Sequence, residues 1–346
     1  MTLPPLDGAD GRHVLVLPPE VTPDEVEILA RSRFPRARWE TVPTAPAGGR
    51  GATATPGVLR LSRLSTLVGP FGLDPDGATA LGVPTRATLA YRLDSPVERG
   101  DAPWPGGGDR DGLARVFAGG MPVRDEERTV TWLVAAAKRL GGAVRVAAGS
   151  GSPGGLLVPD PASAVDLAVW TDVWLEPQAA LEVIGRVQPH ARLNIPPVDW
   201  DGPPPGTGER PVRGAEGLSP ELRATLHAQA DERDLATLAD PPPMEAYGCL
   251  VPLDVDGMLA VEISGETELP PVVAALPWAE RGAVVYRVRW EPPDVEEMHA
   301  ERPGPEHRIA RGRATPAVVA VAKAIHDAVG GEITDEMDFA VDPTDL

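Results

Sequence analysis

Residues 90–93 (AYRL) have a counterpart in residues 285–288 (VYRV), in the other half of the chain. A helix-like stretch follows each copy and ends at a glycine pair, residues 141–142 in the first case and 330–331 in the second. Glycine ends helices readily because it adopts the left-handed backbone conformation without a steric penalty. A returning strand-like run comes next in both places. The pattern therefore predicts one strand–helix–strand arrangement that is used twice.

The flanking sequence extends this prediction to a fold class. Residues 12–160 follow a β-α-β…β-α-β pattern, and residues 247–346 follow a β-β-α-β-α-β pattern. Both suit an α+β fold of two related units similar to a ferredoxin-like sandwich, with mixed or antiparallel sheets and helices on one face. An internal duplication further predicts that residues 86–161 and 281–343 superpose.

Composition suggests where the chain divides. Residues 196–218 contain six prolines and five glycines, which is typical of a linker. We therefore expect a flexible N-terminus over residues 1–11 and an N-terminal α+β domain over 12–195. A C-terminal domain with a leading helix is expected over 219–346.

The charge of the chain restricts its partners. The 346 residues carry a formal net charge of −19, and 42% of them are apolar. Such a surface repels phosphate backbones and anionic lipid headgroups, which argues against nucleic-acid and membrane binding. It favours a basic protein partner or a cation. The alternative is that the acidity only keeps the protein in solution.

Residue usage bears on the cellular location of the protein and on the type of genome that encodes it. Cys249 is the only cysteine, so an intrachain disulfide and a multi-cysteine metal site are both excluded. Long apolar runs and the features of a signal peptide are missing from the sequence, and we expect a cytoplasmic protein. Two lysines stand against thirty arginines, a bias typical of GC-rich bacterial genomes.

Two families of glycine-containing motif resemble ligand sites. Residues 149–154 (GSGSPG) match G-x-G-x-x-G, but a strand-like run follows where dinucleotide binding needs a helix. The stretch therefore predicts a hairpin loop, and we expect no cofactor. Residues 74–77 and 254–257 resemble the start of a calcium loop but lack its glycine and glutamate spacing, so they predict turns.

An alternating stretch over residues 165–175 supplies the first candidate site. The alternation places Trp170, Asp172 and Trp174 together on one face of a strand. Two indoles beside a carboxylate could hold a planar or cationic ligand. The alternative is that the two rings pack beneath a helix.

An acidic run near the C-terminus supplies the second candidate. Five carboxylates occur in eleven residues: Glu332, Asp335, Glu336, Asp338 and Asp342. Like charges at this density raise pKa values and could serve acid–base or metal chemistry, with Asp335 and Asp338 as central members. The alternative is a solvated acidic turn.

Histidines offer only a weak metal candidate. His299 and His307 lie among glutamates, which together could bind zinc. Residues 303–305 (PGP) between them indicate an exposed loop, so we expect no metal. The sequence also lacks G-x-S-x-G, P-loop and H-E-x-x-H motifs, and it assigns no catalytic residue.

Two functional hypotheses remain. The first is a non-enzymatic cytoplasmic protein that binds another protein through its acidic surface, in a regulatory, inhibitory or assembly role. The second is an enzyme or a small-molecule or metal-binding protein with a carboxylate-lined site between the two repeats. A deep pocket that gathers the candidate residues would favour the second, and a flat acidic or apolar patch would favour the first.

Overall fold

The structure is a computed structural model that describes residues 3–44, 54–83, 88–149, 152–194, 218–239 and 244–346. All but the last residue of the predicted linker at 196–218 lies outside these ranges. Residues 3–11, which we expected to be flexible, lie against the first sheet: Pro5 bridges Gly72, and Leu6 and Ala9 pack on apolar side chains.

Seven antiparallel strands form the first sheet, in the order β2-β3-β4-β5-β1-β6-β7. Its strands are β1 His13–Leu17, β2 Arg38–Thr41, β3 Gly57–Arg60, β4 Thr66–Gly72, β5 Leu89–Asp94, β6 Ala143–Val146 and β7 Gly155–Leu157. Strand β1 is buried throughout and apolar after His13, because both faces of the sheet are covered at its centre. Strands β6 and β7 pair antiparallel on either side of the predicted hairpin at 149–154, of which residues 150–151 lie outside the described part of the chain.

Helices cover the first sheet on both faces. The sequence of residues 22–25 (TPDE) predicts a helix start in which Thr22 and Glu25 form a capping box. Helix α1 (Pro23–Arg33) begins there and buries Val26, Leu29 and Ala30. It packs with α4 (Arg124–Arg139) on one face, where Trp132 and Leu133 join the main core. The short helix α2 (Pro75–Leu81) covers the other face, and α3 spans Leu113–Val116.

The second sheet has the same number of strands and is also antiparallel, in the order β9-β10-β11-β12-β8-β13-β14. Its strands are β8 Leu167–Thr171, β9 Arg192–Asn194, β10 Ala246–Pro252, β11 Met258–Glu266, β12 Ala283–Glu291, β13 Glu332–Asp335 and β14 Ala340–Val341. Helices α5 (Pro177–Gly185) and α9 (Pro305–Val329) cover one face, and α7 (Pro271–Ala274) lies on the other. Helices α6 (Pro220–Ala239) and α8 (Val295–Met298) complete the described set.

The two sheets share one connectivity. Apart from α2 and α3, the first is built as strand, helix, four strands, helix and two strands. Apart from α6, α7 and α8, the second repeats this succession with each strand at the corresponding position. We call residues 13–157 the first unit and residues 167–341 the second unit. The α+β class with two related units is confirmed. Duplication of a common ancestor agrees with this topology and remains a prediction.

Sheet membership differs from the predicted division of the chain. Strands β8 and β9 precede the predicted linker, yet both belong to the second sheet: Val169 lies opposite Tyr286, and Leu193 lies opposite Cys249. The proline- and glycine-rich stretch therefore connects β9 to later elements of the same unit. Composition suggested a linker between two domains, but only strand pairing decides which sheet each side joins.

The two units contact each other through the helical face of the first. Phe339, from the β13–β14 turn of the second unit, is buried in the core of the first. Helix α1 also contacts α7. Among the described residues, no helix combines the length and the apolar character that crossing a membrane requires.

Candidate functional site

A cavity of about 440 Å³ lies where the two units meet. Arg33 on α1 closes one side, and the strands β8, β12 and β13 form the floor. Its size falls within the range of small-molecule pockets in proteins. The lining residues are Arg33, Asp166, Leu167, Ala168, Trp170, Glu268, Leu269, Pro270, Pro271, Arg287, Arg289, Thr334, Asp335, Glu336 and Asp338.

Asp166 is a half-buried carboxyl at the start of β8. Its Oδ1 atom accepts a 2.9 Å hydrogen bond from the main-chain N–H of Trp290. Burial raises the pKa of Asp166 to about 6, and the Trp290 hydrogen bond offsets only part of this rise. Near neutral pH the cavity therefore contains an ionised carboxylate that has lost much of its hydration.

Asp335 ends β13 and is the second carboxyl with a perturbed pKa. Its Oδ1 atom accepts hydrogen bonds from the main-chain N–H groups of Met337 (2.9 Å) and Phe339 (3.0 Å). Burial raises the pKa of Asp335, while these two hydrogen bonds and Arg139 lower it. The carboxyl therefore holds the β13–β14 turn in shape while facing the cavity.

Each arginine of the cavity already has a carboxylate partner. Arg33 Nη1 lies 2.8 Å from Asp338 Oδ2, which ties the first unit to the second. Arg287 pairs with Glu266 at 3.0 Å, and Arg289 pairs with Glu262 at 3.1 Å.

The lining also has more acids than bases. It contains five carboxyl groups and three guanidinium groups. Three of the five carboxyls are themselves paired, Asp338 with Arg33, Asp335 with Arg139 and Glu336 with Arg110. Asp166 and Glu268 form no ion pair within the described part of the chain, so these two carboxyls favour a positive charge in the cavity.

The structure brings together three of the five residues of the predicted ligand face. Trp170, Asp335 and Asp338 line the cavity, whereas Asp172 is exposed and Trp174 packs on Tyr247, with ring centroids 5.4 Å apart. The predicted alternation over 165–175 is wrong beyond Thr171, where β8 ends. The Thr171 hydroxyl accepts the N–H of Val173, and the chain turns toward the other face of the sheet.

Trp170 forms part of the wall rather than an open stacking platform. It is 4% exposed, and its Nε1–H donates a 3.0 Å hydrogen bond to Thr334 Oγ1. The guanidinium of Arg287 lies 5.7 Å from the centroid of the ring. The indole packs in a small apolar core and also borders the cavity, and its contact with a ligand stays a prediction.

Sequence reasoning did not identify Asp166, Arg33, Arg287 or Arg289 as site residues. Asp166 carried a usable signal, because it shares the alternating face of Trp170. Arg287 lies inside the repeated VYRV pattern, whose counterpart Arg92 pairs with Asp94 at 3.2 Å. Arg33 carried no signal, since only the packing of the two units brings it to β13.

The described residues include no group of three or more His, Cys, Asp or Glu side chains placed to hold a metal ion. His307 is buried beside Trp290, with ring centroids 5.0 Å apart, and burial lowers its pKa. His299 packs against the loop at Gly108. The predicted turns at Asp74 and Asp254 are a helix start and a 3-10 turn between β10 and β11.

A buried histidine and a buried cysteine lie outside the cavity. His13 Nδ1 accepts the N–H of Ala147 at 3.2 Å, so its Nε2–H points to Glu126 Oε1 at 3.0 Å. With both ring nitrogens engaged, His13 is unsuited to act as a base. Burial raises the pKa of the Cys249 thiol to about 11, which suppresses thiolate chemistry.

Comparisons with models of protein families, with curated proteins and with solved structures give no match for this chain.

Proposed function

We propose that the protein binds a small organic cation in the cavity between its two units. The observation that carries the proposal is the position of Asp166, a carboxyl with a raised pKa at a cavity whose arginines are already paired. Perturbed carboxyls in a cleft are candidates for functional sites. A ligand ammonium or guanidinium group would restore to Asp166 the favourable electrostatics that burial removes.

The chemistry of the lining supports binding more than catalysis. The cavity wall, as far as the structure describes it, contains no Cys, His, Ser or Lys side chain. Thr334 is the single hydroxyl, and it accepts the Trp170 indole N–H. Two carboxyls with raised pKa values could move protons, but a reaction also needs a group that attacks or stabilises a reacting atom. Recognition of a cation needs only the charges that are present.

The test uses pairs of small molecules that match in size and differ in charge. We expect butylamine and putrescine to bind in calorimetric titrations at pH 7.5, and butyrate and succinate to bind far more weakly. The Asp166→Asn variant should lose at least about tenfold in affinity, because a neutral amide attracts a cation less than a carboxylate does. The Asp172→Asn variant is the matched control, since Asp172 is exposed and outside the lining.

Two results would contradict the proposal. One is equal binding of the cations and the anions. The other is an Asp166→Asn variant that binds putrescine as tightly as the unmodified protein.

A further inference from the structure

A second groove, distinct from the inter-unit cavity, lies at the start of α9 and has a volume of about 690 Å³. It is formed by the 3-10 turn between β10 and β11, by the segment that leads into α8, and by the first turns of α9. We call it the α9 groove. Its lining residues are Val255, Asp256, Pro293, Asp294, Glu297, Gly304, Pro305, Glu306, His307, Ile309, Ala310 and Arg313.

Exposed apolar side chains distinguish the α9 groove from the surrounding surface. Val255 is 77% exposed and Ile309 is 54% exposed, on two different elements that line the same groove. Pro293, Pro305 and Ala310 add further apolar surface. Exposed apolar patches of this kind, rimmed by polar residues, mark sites of interaction with other macromolecules.

The rim of the α9 groove is acidic. Four carboxylates line it (Asp256, Asp294, Glu297 and Glu306), against the single guanidinium of Arg313. That guanidinium lies 3.5 Å from Asp256, so these two charges offset each other and three carboxylates remain. The groove consequently has both an apolar floor and a negative field.

An anion is a poor occupant even though the N-terminus of a long helix lies in the groove. Helix N-termini attract anions through their free N–H groups. Here the Glu297 carboxylate already accepts the Gly304 N–H at 2.6 Å, and Glu306 lies in the first turn. The side chains of the protein thus already supply the negative charge that the helix end favours.

We infer that the α9 groove docks a basic amphipathic segment of a partner protein. Apolar side chains of the segment would cover Val255 and Ile309, while its lysines or arginines would face Glu306 and Asp294. Recognition of amphipathic segments by apolar grooves is a common mode of peptide binding, and complementary rim charges speed the encounter. Because Val255 and Ile309 are exposed on two different elements, covering both takes a segment with several apolar side chains, which favours a peptide over a small molecule.

The experiment compares two double variants of the full chain that change charge and apolar surface equally. Glu306→Arg with Ile309→Ser alters the α9 groove. Glu20→Arg with Leu64→Ser alters an exposed glutamate and a 53% exposed leucine on the first unit. The probe is a fluorescein-labelled helical peptide with leucines on one face and lysines on the other, followed by anisotropy at low ionic strength.

We expect the groove variant to bind the peptide at least about tenfold more weakly than the unmodified protein, and the control variant to stay within about twofold. Affinity should fall as salt is added. The methyl resonances of Val255 and Ile309 should shift when the unmodified protein is titrated. If the groove variant does not fold, as judged by its thermal unfolding, Val255→Ser takes its place with the same expectation.

Three outcomes would overturn the inference. The first is the absence of peptide binding at low salt. The second is an equal loss of affinity in the groove and control variants, which would indicate non-specific attraction to the net charge. The third is self-association of the unmodified protein that the groove substitutions abolish, which would make a second copy of this chain the occupant.

Discussion

The main-chain N–H of Trp290 on β12 donates a hydrogen bond to the carboxylate of Asp166, which precedes the neighbouring strand β8. This bond stabilises at the cavity an ionised carboxyl that burial disfavours. One neutral donor does not replace the hydration that a carboxylate loses. The residual penalty is visible as the pKa of about 6. The ionisation of Asp166 therefore responds both to pH near 6 and to a cation that binds close to it.

The first prediction concerns the pH dependence of ligand binding. A cation binds best to ionised Asp166, so the affinity for putrescine should rise between pH 5 and pH 7 and level off above pH 7. Calorimetric titrations in buffers of different ionisation enthalpy should also detect proton release near pH 6. The Asp166→Asn variant provides the control, and an identical pH profile in that variant would contradict the assignment.

The second prediction concerns the stability cost of the same carboxyl. The pKa of Asp166 is raised on folding from 3.8 to about 6, so its contribution to stability is complete below pH 3.8 and is lost as pH rises through 6. In Asp166→Asn this loss is absent, while the amide oxygen can still accept the Trp290 N–H.

The free energy of unfolding of Asp166→Asn, measured relative to that of the unmodified protein, should therefore be about 1 to 2 kcal/mol more favourable at pH 7.5 than at pH 3.5. The full pKa shift would give more, but Asp166 keeps partial contact with solvent. Urea denaturation at both pH values measures the change. If the difference in stability between Asp166→Asn and the unmodified protein is the same at both pH values, burial does not raise the pKa of Asp166.

Two local signals in the sequence correspond to features of the structure. Thr22 and Glu25 form the predicted capping box, with the Thr22 N–H 2.7 Å from the Glu25 carboxylate. The glycine pairs follow α4 and α9 as expected. Such features depend on hydrogen bonds between residues three or four positions apart, which the sequence shows directly.

The start of α9 was not predicted correctly. We expect from the sequence that Thr315 caps a helix and that Pro316 takes its first position, but α9 begins at Pro305 and continues through Pro316. The Thr315 hydroxyl instead donates to the carbonyl oxygen of Arg311. Apolar packing of Ala310 and Ala314 in the second core stabilises the earlier turns despite the hydrogen bond that proline removes.

The site itself could be predicted only in part, because it is assembled from both units. The acidic run containing Asp335 and Asp338 and the strand containing Trp170 were identified. Their meeting with Arg33 depends on the packing of α1 against the second unit, and no short-range pattern encodes that contact.

The third prediction concerns the stability that the buried contact between the two units contributes. Phe339 belongs to the second unit but is 1% exposed in the core of the first. Phe339→Ala should lower the free energy of unfolding by about 3 to 5 kcal/mol, because it leaves a cavity where the ring packs. Trp104→Ala, which removes an 83% exposed ring, should change it by less than about 0.5 kcal/mol. Similar urea midpoints for the two variants would contradict the buried contact.

The fourth prediction concerns the cation that is buried between charged partners. Lys138 is 2% exposed, and its Nζ lies 3.0 Å from Asp111 and 3.4 Å from Glu336 of the second unit. Lys138→Met should destabilise the protein by about 3 kcal/mol, because it leaves Asp111 without its cationic partner and leaves Glu336 with Arg110 alone. Lys323→Met is the control, since Lys323 contacts main-chain oxygens near the C-terminus. Measured by urea denaturation, a smaller loss of unfolding free energy in Lys138→Met than in Lys323→Met would contradict the stabilising role of the ion pairs of Lys138.

The fifth prediction concerns acid sensitivity and rests on His13. Burial, with a smaller contribution from Arg99, lowers the pKa of His13 from 6.5 to about 4. The folded protein therefore resists protonation that the unfolded chain accepts. The contribution of His13 to the free energy of unfolding is fully present above pH 6.5 and is lost as the pH falls toward 4. The full pKa shift corresponds to a loss of about 3 kcal/mol.

His13→Gln removes this titration and should flatten the fall in stability between pH 6.5 and pH 4 relative to the unmodified protein. His190→Gln should leave it unchanged, because His190 is exposed. Urea denaturation across this pH range measures both variants. The carboxyls with raised pKa values act in the opposite direction, but they are present in all three proteins and cancel in the comparison. Parallel pH profiles for His13→Gln and the unmodified protein would show that His13 is not held neutral by burial.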